Sequence, residues 1–467
     1  MDYRKKVNNL EKTKELGTLG IGALLAKYSI PAIIAMLVNA IYNVIDRIFI
    51  GQFVGEEALA GLTISFPVML MIFAFASLIG AGGSALLAIR LGEKDEKGAS
   101  HVFGNALSFG VIVTVIALTT IYFNLDSLLV LFGATPDVLA YASSYMTIII
   151  SGFIFQMISF ILNSSVRAEG RPMLSMVAMM SSAMTNIILD YIFIVIFAWG
   201  VVGAAFATIA GQFVGLMILL SFYLRRKSVL HLSLKDFIPH VKVIGNIVMI
   251  GSATFITTIG TSVAMTFLNR ELGTFGGTAA ITSMGAINSL YTLFIMPIMG
   301  ITQGMQPIIG YNYGAKEKER VNRTLVLGMV IAISFSSIVF VILQVCPITF
   351  ISMFLEKGSA TIDVAVNGLR IFILMLPLLS INLIGVAYYQ STARGKTSIV
   401  LGMLRQFVFL LPLIIILPDF MGLNGVWFAT PIADGCAVLV TMLVLLREFR
   451  KEEKKIHIDA TLSLETS

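Results

Sequence analysis

Residues 30–53 read IPAIIAMLVNAIYNVIDRIFIGQF, an apolar stretch long enough to cross a bilayer as one helix. Polar side chains recur in it at helical spacing along one face: Asn39, Tyr42, Asn43 and Asp46. A carboxylate in hydrocarbon costs roughly 2.5–3.5 kcal/mol or more. We therefore expect Asp46 to face a protein interior or an aqueous cavity and to serve a function there. In the alternative interpretation, the asparagines join helices and Arg47 neutralises Asp46 near the membrane surface.

The whole chain has the composition of an integral membrane protein. Its 467 residues are 57% hydrophobic and 12% charged, with a mean hydropathy of +0.92, whereas soluble domains carry about 25% charged residues. Apolar runs of spanning length follow one another along the sequence, at 28–52, 60–89, 101–123, 138–162, 172–198, 201–224, 243–269, 280–310, 324–346, 364–390, 397–418 and 424–446. We predict an all-α integral membrane protein with twelve transmembrane helices.

The distribution of basic residues predicts the orientation in the membrane. Most of the thirty-two Lys and Arg residues lie in the N-terminal segment, in the loops after even-numbered spans and in the C-terminal tail. The loops on the opposite side hold only Arg270 and Lys357. By the positive-inside rule, both termini are predicted to be cytoplasmic. The expected location is the cell membrane, which the chain crosses many times.

The remaining compositional signals exclude several classes of partner. The net charge of +6 is explained by the cytoplasmic loops, so no nucleic-acid partner is expected. The two cysteines, Cys346 and Cys436, fall in predicted spans and do not indicate a disulfide framework. None of the four histidines has metal-ligand spacing. We expect neither a resident metal nor a cofactor.

An internal repeat divides the chain into two halves. FVGEEALAGLTISFPV from Phe53 aligns with FGGTAAITSMGAINSL from Phe275, and WGVVGAAFAT from Trp199 aligns with MGLNGVWFAT from Met421. Three pairs of glycines share an offset of 222 residues: Gly55/Gly277, Gly92/Gly314 and Gly203/Gly425. Each half has six spans, so the halves share one orientation. We predict two six-helix lobes related by a pseudo-two-fold axis along the membrane normal, with a cavity between them.

The boundaries of these parts follow from the spans and the charge runs. A short basic connector separates the lobes, and polar segments precede and follow them. The predicted parts are a cytoplasmic N-terminal segment (1–27), the N-lobe (28–224), a cytoplasmic linker (225–242), the C-lobe (243–446) and a cytoplasmic tail (447–467).

Polar residues inside the first six spans gather on a few faces. Asp46 on span 1 and Asp190 on span 5 are the intramembrane carboxylates of this half, and Asn186 lies one turn before Asp190. Asn163 closes span 4, and span 6 carries Thr208 and Gln212, one turn apart. These carboxylates are not duplicated in the second half, which favours a function specific to the first lobe.

The second half has its own buried charges, Arg405 on span 11 and Asp434 on span 12. Counting the helical rise from the span ends places them about 13 and about 20 Å from the cytoplasmic side, within reach of an arginine side chain. Such an ion pair is either structural or in contact with substrate, and both interpretations stay open. Flexible methionines suit a promiscuous binding surface. Our candidate cavity residues are Met180, Gln212, Gln306, Arg405 and Asp434.

Four stretches, in order, resemble one known family. They are SIPAIIAMLVNAIYNVIDRIFIG in span 1, NSSVRAEGRP after span 4, TNIILDYIFI in span 5 and GVVGAAFAT in span 6. On a duplicated twelve-span chain, they resemble the multidrug and toxic compound extrusion (MATE) transporters. The similarity covers the membrane region from about Lys27 to Arg447. It is greatest to the DinF-like branch, whose coupling carboxylates lie in the N-terminal lobe.

The resemblance implies a site and a function. By motif position, the central acids of a cation-coupling site would be Asp46 and Asp190. The surrounding polar residues would be Asn186, Thr208, Tyr42, Asn39 and Asn163. The coupling ion would be a proton, or Na⁺ held between the two acids, with Pro31 as the hinge of span 1. The implied function is secondary active efflux of lipophilic or cationic drugs by antiport and alternating access, in the bilayer, by a monomer without enzymatic activity.

Two alternative functions would require other residues within the spans. A flippase for a lipid-linked precursor would need a cavity rich in Arg and Lys for pyrophosphate. The first half has no cation well inside a span apart from Arg47, and the second has Arg370 and Arg405. An integral-membrane transferase would need clustered acids at metal-binding spacing or paired histidines near the interface, and the sequence has neither.

Overall fold

The computed structural model describes residues 13–355 and 360–465. Long helices dominate it, because a backbone in hydrocarbon must satisfy its own hydrogen bonds. Large apolar side chains such as Val341 and Leu439 are exposed on the outside of the bundle, as a lipid-facing surface requires. The start of the predicted N-terminal segment, Lys357 and the last two residues of the tail lie outside the described residues.

Twelve spanning helices make up the described structure. The first lobe contains α1 (Ile21–Phe53), α2 (Glu56–Gly92), α3 (Glu96–Phe123), α4 (Pro136–Ala168), α5 (Pro172–Ile196) and α6 (Gly200–Leu224). The second contains α7 (241–276), α8 (278–314), α9 (Lys318–Val345), α10 (Thr361–Phe372 with Leu376–Ser391), α11 (Gly395–Met421) and α12 (Leu423–Arg450), the last continuing to Glu465. The predicted all-α, two-lobe fold with twelve spans is confirmed. The lobe boundaries given above stay a prediction.

Two of these helices show how particular residues break a span. Helices α7 and α8 follow one another within Val241–Gly314, and Gly277 separates them with a φ of 61°. Helix α10 bends by 51° between its two pieces, next to Pro377, since proline removes a backbone donor. Pro31 does not break its span, since α1 continues through it without interruption.

The repeat is visible in the backbone. Lys94 after α2 and Lys316 after α8 both have a positive φ, 60° and 62°. Gly200 at the start of α6 and Gly422 just before α12 have φ values of 59° and 57°. Because a lysine rarely adopts this conformation, its recurrence at the 222-residue offset shows that both lobes use the same turn.

The lobes meet most closely on the side where α1 begins and α12 ends, which we call the terminal side. A Cβ on Gly92 would collide with the Tyr311 carbonyl, and a Cβ on Gly314 would collide with the Ile89 carbonyl. The repeat exchanges these two contacts, so the α2–α8 interface is symmetric about the axis between the lobes. Only glycine permits two helix backbones to approach this closely.

The buried side chains show which end of the molecule is closed. One apolar core runs through the first lobe and into the terminal half of the second, where it includes Ile247 and Ile309. A separate core around Trp427 and Leu369 fills the other half of the second lobe. The lobes therefore share a core on the terminal side and have separate cores beyond it. We infer that the groove between them opens away from the termini.

The linker between the lobes packs on the first lobe. Ser108 Oγ donates to the Phe237 carbonyl at 2.6 Å, and the His240 amide donates to Asn105 Oδ1 at 2.6 Å. The buried Glu169 carboxylate, just beyond α4, accepts from Ser228 Oγ at 2.6 Å and from the Val229 amide at 3.0 Å. Burial raises the pKa of Glu169, and these hydrogen bonds oppose that rise. These contacts anchor the linker to the first lobe.

Gly314→Ala tests the close approach of α2 and α8. We expect this variant to lower the thermal unfolding midpoint, because overpacking of a tight interface costs about 1–3 kcal/mol. Gly22→Ala is the matched control, since nothing lies within 4 Å of a Cβ at that position, and alanine favours the helix. Equal midpoints for the two variants in detergent would contradict the closed α2–α8 interface.

Candidate functional site

Asp46 on α1 and Asp190 on α5 form the centre of the candidate site. Both side chains are buried, and the two carboxyl groups lie close enough to interact electrostatically. In the described structure, Oδ1 of each is buried without a hydrogen-bond partner. Burial of two unpaired negative charges is unfavourable. The pair is therefore suited to binding a proton or a small cation.

Neutral polar groups surround Asp190. The Asn186 amide nitrogen donates to Thr208 Oγ1 at 3.3 Å in one orientation. In the opposite orientation it donates to Asp190 Oδ2 at 3.3 Å, and the amide oxygen accepts from the Thr208 amide at 3.3 Å. The structure thus brings together three of the predicted residues on α5 and α6. The oxygens of these side chains are the ligand type that a proton or Na⁺ would need.

Two tyrosines complete the cluster, and only one of them was predicted. Tyr42 on α1 interacts electrostatically with both acids. Tyr145 on α4 is buried, interacts with Asp46, Tyr42 and Asp190, and contacts Thr208. Tyr145 could not be singled out from the sequence, because it lies in a span without an intramembrane carboxylate.

The asparagines of α1 are arranged differently from the acids. Asn43 is exposed, and its amide donates to the Asn39 backbone carbonyl at 2.7 Å and lies 3.4 Å from Asn39 Oδ1. These amides bond within their own helix. The predicted contribution of Asn39 to the cation site stays a prediction.

A π-helical turn, Tyr191–Ile196, begins immediately after Asp190. Such turns are uncommon and frequently occur at functional sites. The ring of Tyr191 lies 6.4 Å from that of Phe49 on α1. The turn therefore couples the helix that carries Asp190 to the helix that carries Asp46.

Asn163 is not part of this cluster. Its Oδ1 accepts from Ser175 Oγ at 2.9 Å and from Arg167. Ser175 and Asp190 are separated by fifteen residues on α5, which corresponds to roughly 22 Å of helix. The predicted role of Asn163 beside the acids therefore has no support from its contacts, which are with groups near the terminal side.

The second lobe contains a buried ion pair. Arg405 Nε donates to Asp434 Oδ1 at 2.8 Å, and Tyr291 also interacts with Arg405. Arg405 lies in a second π-helical turn, Leu404–Leu410. Both lobes therefore place a π-helical turn beside buried charge.

The other predicted cavity residues have separate partners. Gln212 Nε2 donates to Gln156 Oε1 at 3.2 Å, and Gln306 Nε2 donates to Gln390 Oε1 at 3.3 Å. Met180 is partly buried on α5. The structure does not bring these side chains together into one pocket. Among the described residues, no group of three or more His, Cys, Asp or Glu side chains is placed to hold a metal ion.

Comparison with known proteins identifies close architectural relatives. A family model described as MatE matches residues 31–192 and 253–416, segments that contain both the carboxylate pair and Arg405. The chain is 28% identical over 429 residues to the multidrug export protein MepA of Staphylococcus saprophyticus, covering 90% of this chain and 93% of that one. MepA of Staphylococcus aureus (strain N315) matches with the same identity and coverage.

Solved structures show the same fold. A MATE transporter crystallised in complex with MaL6 is 26% identical, with a TM-score of 0.89 over 94% of this chain and 99% of that one. The outward-facing conformation of a multidrug resistance MATE transporter of the MOP superfamily is 27% identical, with a TM-score of 0.88 over 94% of this chain and 98% of that one.

Proposed function

Because the chain belongs to the MatE family, we propose that it is a secondary active multidrug exporter that releases lipophilic organic cations in exchange for protons or Na⁺. Members of this family are transporters, so the chain is a multi-pass membrane transporter and not an enzyme. The multidrug export relatives support small-molecule drugs as the substrates.

One observation carries the proposed coupling. Asp46 and Asp190 share a buried site in which one oxygen of each lacks a partner among the described residues. A proton or Na⁺ bound there removes negative charge that would otherwise attract a cationic substrate. Because the two acids interact, they take up protons as a pair. Substrate and coupling ion therefore compete, and this competition is sufficient for antiport.

The closed terminal side sets the order of events. With cytoplasmic termini, the groove of this conformation opens outward, so the coupling ion enters from outside and substrate leaves there. The charge change at Asp46 acts on α1, which has Pro31 about four turns toward the terminal side. Proline removes one helical hydrogen bond, so α1 bends there as the lobes rearrange.

The remaining assignments belong to the same proposal. The distribution of basic residues supports cytoplasmic termini, and membership of the family supports a location in the cell membrane. Each chain contains both lobes and a complete carboxylate site, so it acts as a monomer within the bilayer, without a cofactor. Arg405, which a pyrophosphate-bearing lipid would require, is already bound to Asp434, and this weighs against a flippase.

Ethidium efflux from proteoliposomes tests the proposed function. We expect an imposed proton gradient or an imposed Na⁺ gradient to drive efflux above that of protein-free liposomes. If only one of the two gradients drives efflux, the ion of that gradient is the coupling ion. If neither gradient drives ethidium efflux above that of protein-free liposomes, cation antiport would be contradicted.

A further inference from the structure

Arg167, at the end of α4, is a buried cation with neutral partners. Its side chain donates to Asn163 Oδ1, to Ser175 Oγ at 3.1 Å and to Ser164 Oγ at 3.2 Å, and only 8% of the residue is exposed. Within residues 13–355 and 360–465, no carboxylate forms an ion pair with it. The nearby Glu169 carboxylate accepts instead from Ser228 and Val229.

A buried guanidinium without a counter-charge is unfavourable. Neutral dipoles compensate only part of the solvation that the charge loses on burial. Arg320 also has neutral partners, since it donates to Asn312 Oδ1 at 2.9 Å and to the Leu19 carbonyl at 2.7 Å, but it is less buried than Arg167. A bound anion would therefore stabilise the buried charge of Arg167, provided that the space beside the guanidinium is large enough to hold one.

A cavity of about 10 Å³ adjoins Arg167 where the lobes meet. Its polar lining comes from both lobes, with Ser84, Ser164 and Arg167 from the first and Gln303 and Gln306 from the second. All five side chains can donate hydrogen bonds, and none of the lining residues is acidic. A space of this size accommodates about one water molecule or a single ion of similar size.

We propose that this cavity binds one small monovalent anion, of the size of chloride, as the counter-ion of Arg167. The amide nitrogens of Gln306 and Gln303 each use one N–H, toward Gln390 Oε1 and Met36 Sδ. Each amide has a second N–H that is available to the anion.

The position of the cavity makes the site dependent on conformation. Its donors come from both lobes, so the site is complete only while the terminal side is closed. A ligand that binds one conformation stabilises that conformation. Chloride therefore favours the closed terminal side, and the lobes release it when they separate there. This ligand is distinct from the coupling ion and from the exported substrate.

Thermal unfolding in detergent tests the site without any transport assay. For the wild type, we expect the midpoint to rise saturably as chloride replaces gluconate at constant ionic strength. Arg167→Gln should abolish this response, whereas Arg320→Gln should retain it. Equal midpoints of the wild type in the two salts, as expected if the cavity holds only water, would overturn the proposal. So would a chloride response that survives in Arg167→Gln.

If Arg167→Gln does not fold, a second variant and a crystallographic measurement still test the anion site. Gln306→Leu removes one donor of the second lobe and keeps the arginine, so the chloride concentration at half-saturation should rise about tenfold. Bromide-soaked crystals of the wild type should show an anomalous peak within hydrogen-bond distance of the Arg167 guanidinium. An unchanged half-saturation or an empty anomalous map at this cavity would contradict the proposal.

Discussion

Neutralising either carboxylate, as Asp46→Asn or as Asp190→Asn, is expected to reduce gradient-driven ethidium efflux by roughly 100-fold, near the upper end of coupling between two ligands. Asparagine has nearly the same shape as aspartate but cannot take up a proton or supply negative charge to Na⁺. The remaining acid then lacks the charged partner with which it interacts. Efflux from proteoliposomes, normalised to reconstituted protein, measures the effect.

Asp126→Asn is the matched control for these variants. Asp126 is an exposed carboxylate in the first lobe that accepts from Ser143 Oγ at 2.9 Å. Removal of its charge should leave coupled efflux within about twofold of the wild type, since surface interactions of this kind contribute little. Wild-type coupling in both Asp46→Asn and Asp190→Asn would contradict the carboxylate site.

The second large effect is expected at the ion pair of the C-lobe. Asp434→Asn leaves Arg405 as a buried cation without its partner, and the loss of one member of such a pair costs about 3–5 kcal/mol. We therefore expect a marked fall in the thermal unfolding midpoint. The double variant Arg405→Gln with Asp434→Asn should be more stable than Asp434→Asn alone, because it removes both charges.

An exposed pair on the terminal side provides the control for this prediction. Arg90 bonds to Glu93 at 3.0 Å, and both side chains are about two-fifths exposed, so Glu93→Gln should change the midpoint little. If the double variant of Arg405 and Asp434 loses as much stability as the two single variants together, that result would contradict a buried ion pair. Ethidium affinity of the same double variant separates the two interpretations of the pair: a structural pair leaves it unchanged, and a substrate-contacting pair lowers it.

Much of the architecture was predictable because membrane spans obey few rules. Hydrocarbon favours long apolar helices, and the repeat fixes two lobes of equal orientation. The pair Gly92 and Gly314 was visible as a recurring position. Its physical purpose, the close approach to the backbones of Ile89 and Tyr311, became apparent only from the packing of α2 against α8.

The candidate site was predictable only in part. Asp46 and Asp190 stood out because charge is rare and costly within a span. Tyr145 did not, since a tyrosine is compatible with a membrane helix whether or not it contacts an acid. Arg167 did not stand out either, because it follows the apolar run of span 4 as a loop residue would, and the cavity beside it is lined by α2 and α8, which are distant in the sequence.

In the proposed mechanism, substrate and coupling ion compete at the N-lobe carboxylates. The decisive measurement is the equilibrium affinity of the purified protein for ethidium, as a function of pH and of Na⁺ concentration. We expect the affinity of the wild type to fall as protons or Na⁺ occupy the acids, and we expect no such dependence when both acids are neutralised, as Asp46→Asn with Asp190→Asn. A wild-type affinity unaffected by either ion, or the same dependence in the double variant, would contradict this mechanism.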